Sequence, residues 1–373
     1  MQTVFMKVLP GIEQHDPLRI YKAKEGTIDM EILITGGNGF LGRNLIKALQ
    51  ERGDSARVLA LSTEDTAWLE ECGVAVYRGD IRESNMLTVP MRGVDTVFHL
   101  AGMMGLWRSM QDYYAVNVTG TENVCQAALT AGARRLIHVS SWTVYGMNLG
   151  RPVTEDDPLE PLDEPYTITK AEGDRLVQRM IAEEHLPATI VRPGTIFGPG
   201  DRLNFGRTTD RISAGKNPII GSGRNALPLV YVTDVVQGLL RCAELERAVG
   251  QAYNISNDQP LTQEEFLCAI AQELDIAPPR LHIPYHAAYA LASIAERAAK
   301  IMRSQEPLVT RHGITLFGAD NRHSIDKARR DLGYAPQVPL REGVRLAATW
   351  YQHQDSRALG NASVGAPQAA KAK

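Results

Sequence analysis

Met30-Glu31-Ile32-Leu33-Ile34-Thr35-Gly36-Gly37-Asn38-Gly39-Phe40-Leu41-Gly42 decides the fold of this chain. Ile32, Leu33 and Ile34 make a short unbroken apolar run, the pattern of a strand buried on both faces. Glycines follow at 36, 39 and 42, and beyond them Phe40, Leu41, Leu45, Ile46 and Leu49 fall at helical spacing. A strand that turns through glycines into a helix leaves the first helical amides unpaired and unobstructed. Such amides can hold a pyrophosphate. The apolar run returns at Arg57–Leu61 and completes a βαβ unit.

The alternation continues outward. Strands are expected near Val74–Tyr77, Thr96–Leu100, Arg135–Ser140 and Ala188–Arg192, with helices near Asp112–Ala131 and Thr167–Glu184. Parallel strands need a crossover and a helix supplies it, so the fold class is α/β: a Rossmann-type, doubly wound parallel sheet. From Pro193 onward Gly- and Pro-rich loops separate helices expected near Gln263–Glu273, His286–Arg303, Ser324–Asp331 and Leu340–Tyr351. The expected organisation is an N-terminal extension at 1–29, a dinucleotide-binding domain at 30–200 completed by a crossing segment near 230–256, a smaller, mostly helical C-terminal substrate domain over 201–351, and a disordered tail at 352–373.

Composition narrows the function. The 373 residues carry 40 Lys+Arg against 43 Asp+Glu, a formal charge of −3, with 44% hydrophobic residues. That balance gives no basic footprint for nucleic acid, and no apolar run approaches the ~18 residues of a membrane span. Cys72, Cys125, Cys242 and Cys268 show no ligand spacing and read as reduced thiols of a cytoplasmic protein. No metal site is expected: there is no HExxH, and the pair His282/His286 has no nearby acidic third ligand.

The reactive groups follow from spacing. Tyr166 and Lys170 stand four apart, on one face of a helix. An ammonium beside a phenol favours the phenolate and draws the tyrosine pKa down from about 10, making it usable for proton transfer. Ser141, in Ser140-Ser141-Trp142-Thr143, offers a hydroxyl at a strand end, with Ser140 cast as a structural neighbour. Asn117 places an amide within an apolar helical stretch. At the end of the second strand an NAD enzyme usually has an acid for the ribose hydroxyls, whereas this chain reads Leu61-Ser62-Thr63. The cofactor reading is therefore NAD(P), with NADP(H) somewhat favoured over NAD(H) and Arg43, Arg57 and Ser62 as candidates for a 2′-phosphate.

In order, TGGNGFLG at 35–42, Gly79-Asp80-Ile81, Phe98-His99-Leu100-Ala101-Gly102, Asn117, Ser141, Tyr166/Lys170 and Arg192-Pro193-Gly194 resemble the extended short-chain dehydrogenase/reductase superfamily over about Met30 to Tyr351. The resemblance implies that Gly36, Gly39, Phe40, Leu41, Gly42 and Arg43 form the cofactor turn. It also implies that Asp80 and Ile81 hold the adenine, that Leu100, Ala101 and Gly102 line the cofactor, and that Pro193 flanks the nicotinamide. Ser141 would polarise the substrate oxygen, Tyr166 would move the proton, Lys170 would hold the ribose and tune Tyr166, and Asn117 would support the relay.

Fold does not choose among the superfamily's reactions. Nucleotide-sugar members resemble one another in an arginine that meets the substrate diphosphate, and this chain has Leu227 at that place, in Asn225-Ala226-Leu227-Pro228-Leu229-Val230-Tyr231. That stretch, with Leu308-Val309-Thr310-Arg311 and the segment 326–334, is similar to the 3β-hydroxysteroid dehydrogenase-like branch. Met103, Met104, Leu106, Trp107, Trp142 and Leu227 are candidates to line an apolar substrate pocket. The expected reaction is interconversion of a secondary alcohol and a ketone on a sterol-like compound or a β-keto acid. A nucleotide-sugar epimerase or dehydratase stands as the alternative, and a non-catalytic dinucleotide sensor behind it. A homodimer, and a peripheral membrane contact through the helix at His286–Arg303, stay open.

Overall fold

The computed structural model describes residues 31–105, 108–147, 149–302 and 309–363; the expected extension at 1–29, Met30, Leu106, Trp107 and residues 364–373 of the expected tail lie outside them. Seven strands form one parallel sheet: β1 Ile32–Thr35, β2 Ala56–Ala60, β3 Ala75–Arg78, β4 Thr96–His99, β5 Arg135–Val139, β6 Ala188–Pro193 and β10 Ala252–Ile255. Their order is β10-β6-β5-β4-β1-β2-β3, so the chain reverses direction of growth between β1 and β4. Ligands of such sheets bind outside the carboxyl ends of the strands at that switch point.

Alternation along β1 builds two cores. Ile32 and Ile34 face Leu45, Leu49, Val58, Val235 and Leu239, while Leu33 faces Val97, Val124, Leu136, Val177 and Ile190. Side chains two apart share a face, so a strand covered on both sides must be apolar at every position. Helices α1 (Phe40–Glu51) and α7 (Val232–Glu244) cover the first face, and α4 (Gly120–Ala131) and α5 (Pro165–Glu184) the second. Short helices α2 (Ala67–Glu71) and α3 (Met110–Tyr114) complete the crossovers.

A third core gathers above the strand ends. β7 (Thr195–Phe197) pairs in parallel with β9 (Leu229–Tyr231), and Phe197, Phe205, Tyr231 and Phe266 pack with ring centroids 5.8 to 6.3 Å apart. Helices α6 (Arg207–Ser213), α8 (Gln263–Glu273) and α12 (Leu340–Ser363) enclose it. β8 (Ile219–Ile220) pairs with β11 (His282–Ile283), and α9 (Tyr285–Met302) and α10 (Arg311–Gly318) pack beside them. α9 buries Ala288, Ala292 and Ala299 and leaves Leu291, Ile294 and Ile301 exposed.

Three elements depart from the sequence reading. The helix expected at Asp112–Ala131 is interrupted by a π-helical turn at Ala115–Thr119, which carries Asn117. α11 (Asp326–Leu332) packs through Ile325, Ala328 and Leu332 on the sheet core rather than on the substrate-side core. α12 runs past Gln352, where the reading places a disordered tail, and continues to Ser363. Among the described residues no helix is long and apolar enough to cross a membrane.

Candidate active site

The turn after β1 is built from backbone. Gly36 has φ +71°, and a Cβ there would stand 2.7 Å from the Ala101 nitrogen, so the turn sits directly against the end of β4. At Gly42 a Cβ would meet the Gly36 carbonyl oxygen and the Gly37 Cα at 2.5 Å, which fixes how closely α1 approaches the turn. Gly39 caps α1 without a side-chain bond, and the first turn holds no acid. The free amides and the positive end of the helix dipole are thus left for an anion, and the turn fits a dinucleotide pyrophosphate.

Other expected cofactor residues fall into two groups. Leu100 and Ala101 donate their amides to the carbonyl and hydroxyl of Thr35, placing the end of β4 beside the turn. A Cβ on Gly102 would lie 3.3 Å from Asn117 Oδ1 and 3.9 Å from Lys170 Nζ. Pro193 ends β6 opposite Ile255, and Ile81 is buried against Gly120. The Asp80 carboxylate is bonded by Arg82, whose guanidinium holds its pKa below the usual range. Ser62 is exposed just past β2. Arg43 bonds the Asn38 carbonyl and side chain and lies over Trp68, while Asn38 donates to the Asp65 carbonyl in the loop after β2. Arg57 does not belong there: it stands at the start of β2, bonded to Glu31 and to the Pro90 and Arg92 carbonyls, at the opposite end of the strand from the cofactor.

The reactive groups come together from three elements. α5 starts at Pro165 and brings Tyr166 and Lys170 to one face. Ser141 is buried at the end of β5, bonds the Tyr166 phenol, and lies 2.9 Å from Thr143 Oγ1. Ser140 is buried behind it, its amide donating to the Val191 carbonyl at 2.7 Å. Lys170 Nζ donates to the Val139 carbonyl at 2.7 Å, and burial lowers its pKa to about 8. Tyr166 departs from expectation. It is half-buried, and removal of its phenol from water pushes the pKa above its ordinary value, outweighing the bond from Ser141.

Asn117 serves to hold rather than to reach. Its Oδ1 accepts from the Met103 amide at 2.7 Å, and its Nδ2 donates to the Met103 carbonyl and to Thr169 Oγ1. The loop after β4 is thereby tied to the helix carrying Tyr166. Thr121 Oγ1 donates to the Asn117 carbonyl and lies 3.0 Å from His99 Nε2, while His99 Nδ1 lies 2.7 Å from Thr35 Oγ1. Since Thr121 is already a donor, the imidazole carries its proton on Nε2 and accepts from Thr35. Burial lowers the His99 pKa to about 3, so the ring stays neutral. Sequence reading missed this chain, because its members stand 22 and 64 residues apart and only the sheet brings them together.

Under the site, Arg192 of β6 and Asp174 of α5 form a buried bidentate pair at 2.8 and 2.9 Å, and Arg192 also donates to the Tyr145 hydroxyl. On the substrate side, Leu227 is buried and lines a recess with Thr195, Phe197, Phe205, Phe266 and Phe317. Trp142 is likewise buried, and its Nε1 donates to Thr195 Oγ1 at 3.2 Å, so it supports the wall of the recess. Met103 is half-buried beside Asn117, and Met104 is exposed.

Comparison with known proteins agrees with this architecture. The model of the NAD dependent epimerase/dehydratase family matches residues 32–256. The chain belongs to that family. The 2-alkyl-3-oxoalkanoate reductase of Stenotrophomonas maltophilia is 33% identical over 330 residues, covering 85% of this chain and 98% of its own. The decarboxylating sterol-4-alpha-carboxylate 3-dehydrogenase of Mus musculus is 31% identical over 347 residues, covering 90% and 92%. The dTDP-glucose 4,6-dehydratase of Streptomyces venezuelae, solved with NAD and TYD bound, matches with a TM-score of 0.72 at 26% identity, covering 88% of this family member and 98% of its own chain.

Proposed function

We propose that this enzyme is an NAD(P)-dependent oxidoreductase that interconverts a secondary alcohol and a ketone on an apolar substrate, a sterol-like alcohol or a 3-oxo acid. The observation that carries the reading is the recess beyond Trp142, whose lining among the described residues holds aromatic and aliphatic side chains with Leu227 among them and no arginine or lysine. A diphosphate would be stranded against such a wall, whereas an apolar body is desolvated there at no polar cost. Two relatives named for 3-oxo or carboxylated 3-hydroxy substrates point the same way.

The residues present fit a nicotinamide dinucleotide: the amides at the start of α1 for its pyrophosphate, Ala101 and Gly102 along its length, and Lys170 for the ribose. When bound, it supplies or takes the hydride. Tyr166 does the proton work. Burial keeps its phenol protonated, which suits donation to a carbonyl oxygen in the reducing direction. Ser141 bonds the phenol and offers a second hydroxyl contact to the same oxygen. Lys170 is charged at neutral pH, one helical turn from Tyr166, and Asn117 keeps the loop after β4 against α5. NADP(H) is favoured over NAD(H), because β2 ends without an acid and Arg43 stands beside the following loop.

The test is a panel of 3-oxo acids, hydroxysteroids and nucleotide sugars with NADPH or NADH, followed by nicotinamide absorbance and product mass. Stoichiometric cofactor consumption with an apolar ketone is expected. Sugar conversion with no net change in cofactor overturns the reading.

A further inference from the structure

A surface helix ordinarily turns its large apolar side chains inward and its polar ones out. α9 does the reverse with its aliphatics. Ala288 and Ala292 are buried with Ile220 and Ile314, and Ala299 is buried as well, while Leu291, Ile294 and Ile301 stand 60%, 63% and 83% exposed. Positions 291, 294 and 301 are three and seven apart, so they fall on one side of the helix and form a stripe rather than scattered side chains. The charge around the stripe has one sign. From Arg280 to Met302 the sequence carries Arg280, Arg297 and Lys300 against a single acid, Glu296, in a chain whose net charge is −3. Glu296 is turned inward and buried, where its two oxygens accept from the Arg311 amide and Nε at 2.7 and 2.8 Å. Arg297, three residues after Ile294, is exposed, and so is Arg280.

We propose that this face of α9 seats the protein on an anionic lipid bilayer, with Leu291, Ile294 and Ile301 at the acyl boundary and Arg297 among the headgroup phosphates. Large aliphatics on one side of a helix and cations beside them are what an interfacial helix needs. α9 is not apolar enough to cross a membrane, so it lies in the plane of the surface. A second copy of the chain fits the stripe less well. A two-fold contact of α9 with itself brings Arg297 toward its own equivalent, with no exposed acid on the helix to offset the two charges. An anionic surface offsets them directly. The placement also suits an apolar substrate: α10, which packs against α9, carries Leu316 and Phe317 in the wall of the recess. The helix pair that walls the recess is thus the pair that meets the lipid. Binding to the bilayer does not itself depend on the substrate reading.

In the experiment the full chain is sedimented with vesicles of phosphatidylcholine alone and of phosphatidylcholine mixed with phosphatidylglycerol, at low and at high salt, without substrate or cofactor. Wild type is expected to partition onto the mixed vesicles and to lose most of that binding at high salt or without phosphatidylglycerol. The double substitution Leu291→Gln/Ile294→Gln should lower the partition coefficient roughly tenfold or more, and Arg297→Gln about threefold to fivefold on the mixed vesicles only. All three side chains are exposed, so the variants are expected to melt close to wild type. Should the double variant melt lower, Ile301→Gln, at the most exposed position of the stripe, carries the same test. No sedimentation of wild type with the mixed vesicles overturns the proposal. So does binding that is equal on both kinds of vesicle, or that the aliphatic substitutions leave unchanged. A wild-type dimer in analytical ultracentrifugation that the double variant abolishes overturns it in favour of a second copy. No turnover is measured, so a failure here leaves the oxidoreductase reading standing, and a failure of that reading leaves the vesicle result standing.

Discussion

At the turn between β1 and α1 the protein offers backbone, and at the cluster around Tyr166 it offers side chains. The turn spans the seven residues from Gly36 to Gly42, and what matters there is the absence of Cβ atoms against Ala101 and Gly37. The cluster draws Asn117, Ser141, Tyr166 and Lys170 from a π-turn, a strand end and a helix, and depends on a buried ion pair and a threonine–histidine chain beneath it. A site made of backbone tolerates many neighbours but no added atom. One made of side chains tolerates local change and fails when its supports are removed.

Perturbing each half separately breaks or sharpens that contrast. Gly42→Val pushes a branched side chain onto the Gly36 and Gly37 backbone, so cofactor affinity is expected to fall beyond detection in a fluorescence titration, with Tyr166 untouched. Retained binding contradicts the tight approach of α1. Asp174→Ala strands the buried Arg192 guanidinium, a loss of about 3–5 kcal/mol in denaturant unfolding. A loss below about 1 kcal/mol would show that the pair does not anchor α5 to β6.

The smallest effect has the opposite sign. Burial lowers the Lys170 pKa to about 8, so the folded protein holds an ammonium less readily than the unfolded chain, whose lysine titrates near 10.4. Where the unfolded state binds more protons, stability rises with pH, here from about 8 to about 10. Lys170→Met removes the buried charge. It should melt at or a few degrees above wild type below pH 8, with the difference shrinking toward pH 10, while turnover is lost. A variant less stable than wild type at pH 7 contradicts the burial cost.

The same contrast explains what could be read from sequence. The strand–glycine–helix run at 32–49 is local and periodic, so the turn, the parallel sheet and its two aliphatic faces were legible there. Tyr166 and Lys170 were legible because four residues span one helical turn. Arg57 was misplaced because apolar pattern shows which face a strand residue takes but not which end of the sheet it occupies. The His99 chain and the Glu164–His312 contact depend on residues 22 to 148 positions apart packing together, for which the chain carries no periodic signal.

The central claim is that the proton-transfer group is separate from the cofactor cradle. Tyr166→Phe keeps the ring, the helix and the turn, and removes only the phenol oxygen. With the ketone substrate found in the panel, turnover should fall by about two to four decades while the dissociation constant for NADPH stays within about threefold of wild type. Normal turnover, or a parallel collapse of cofactor binding, would contradict the account.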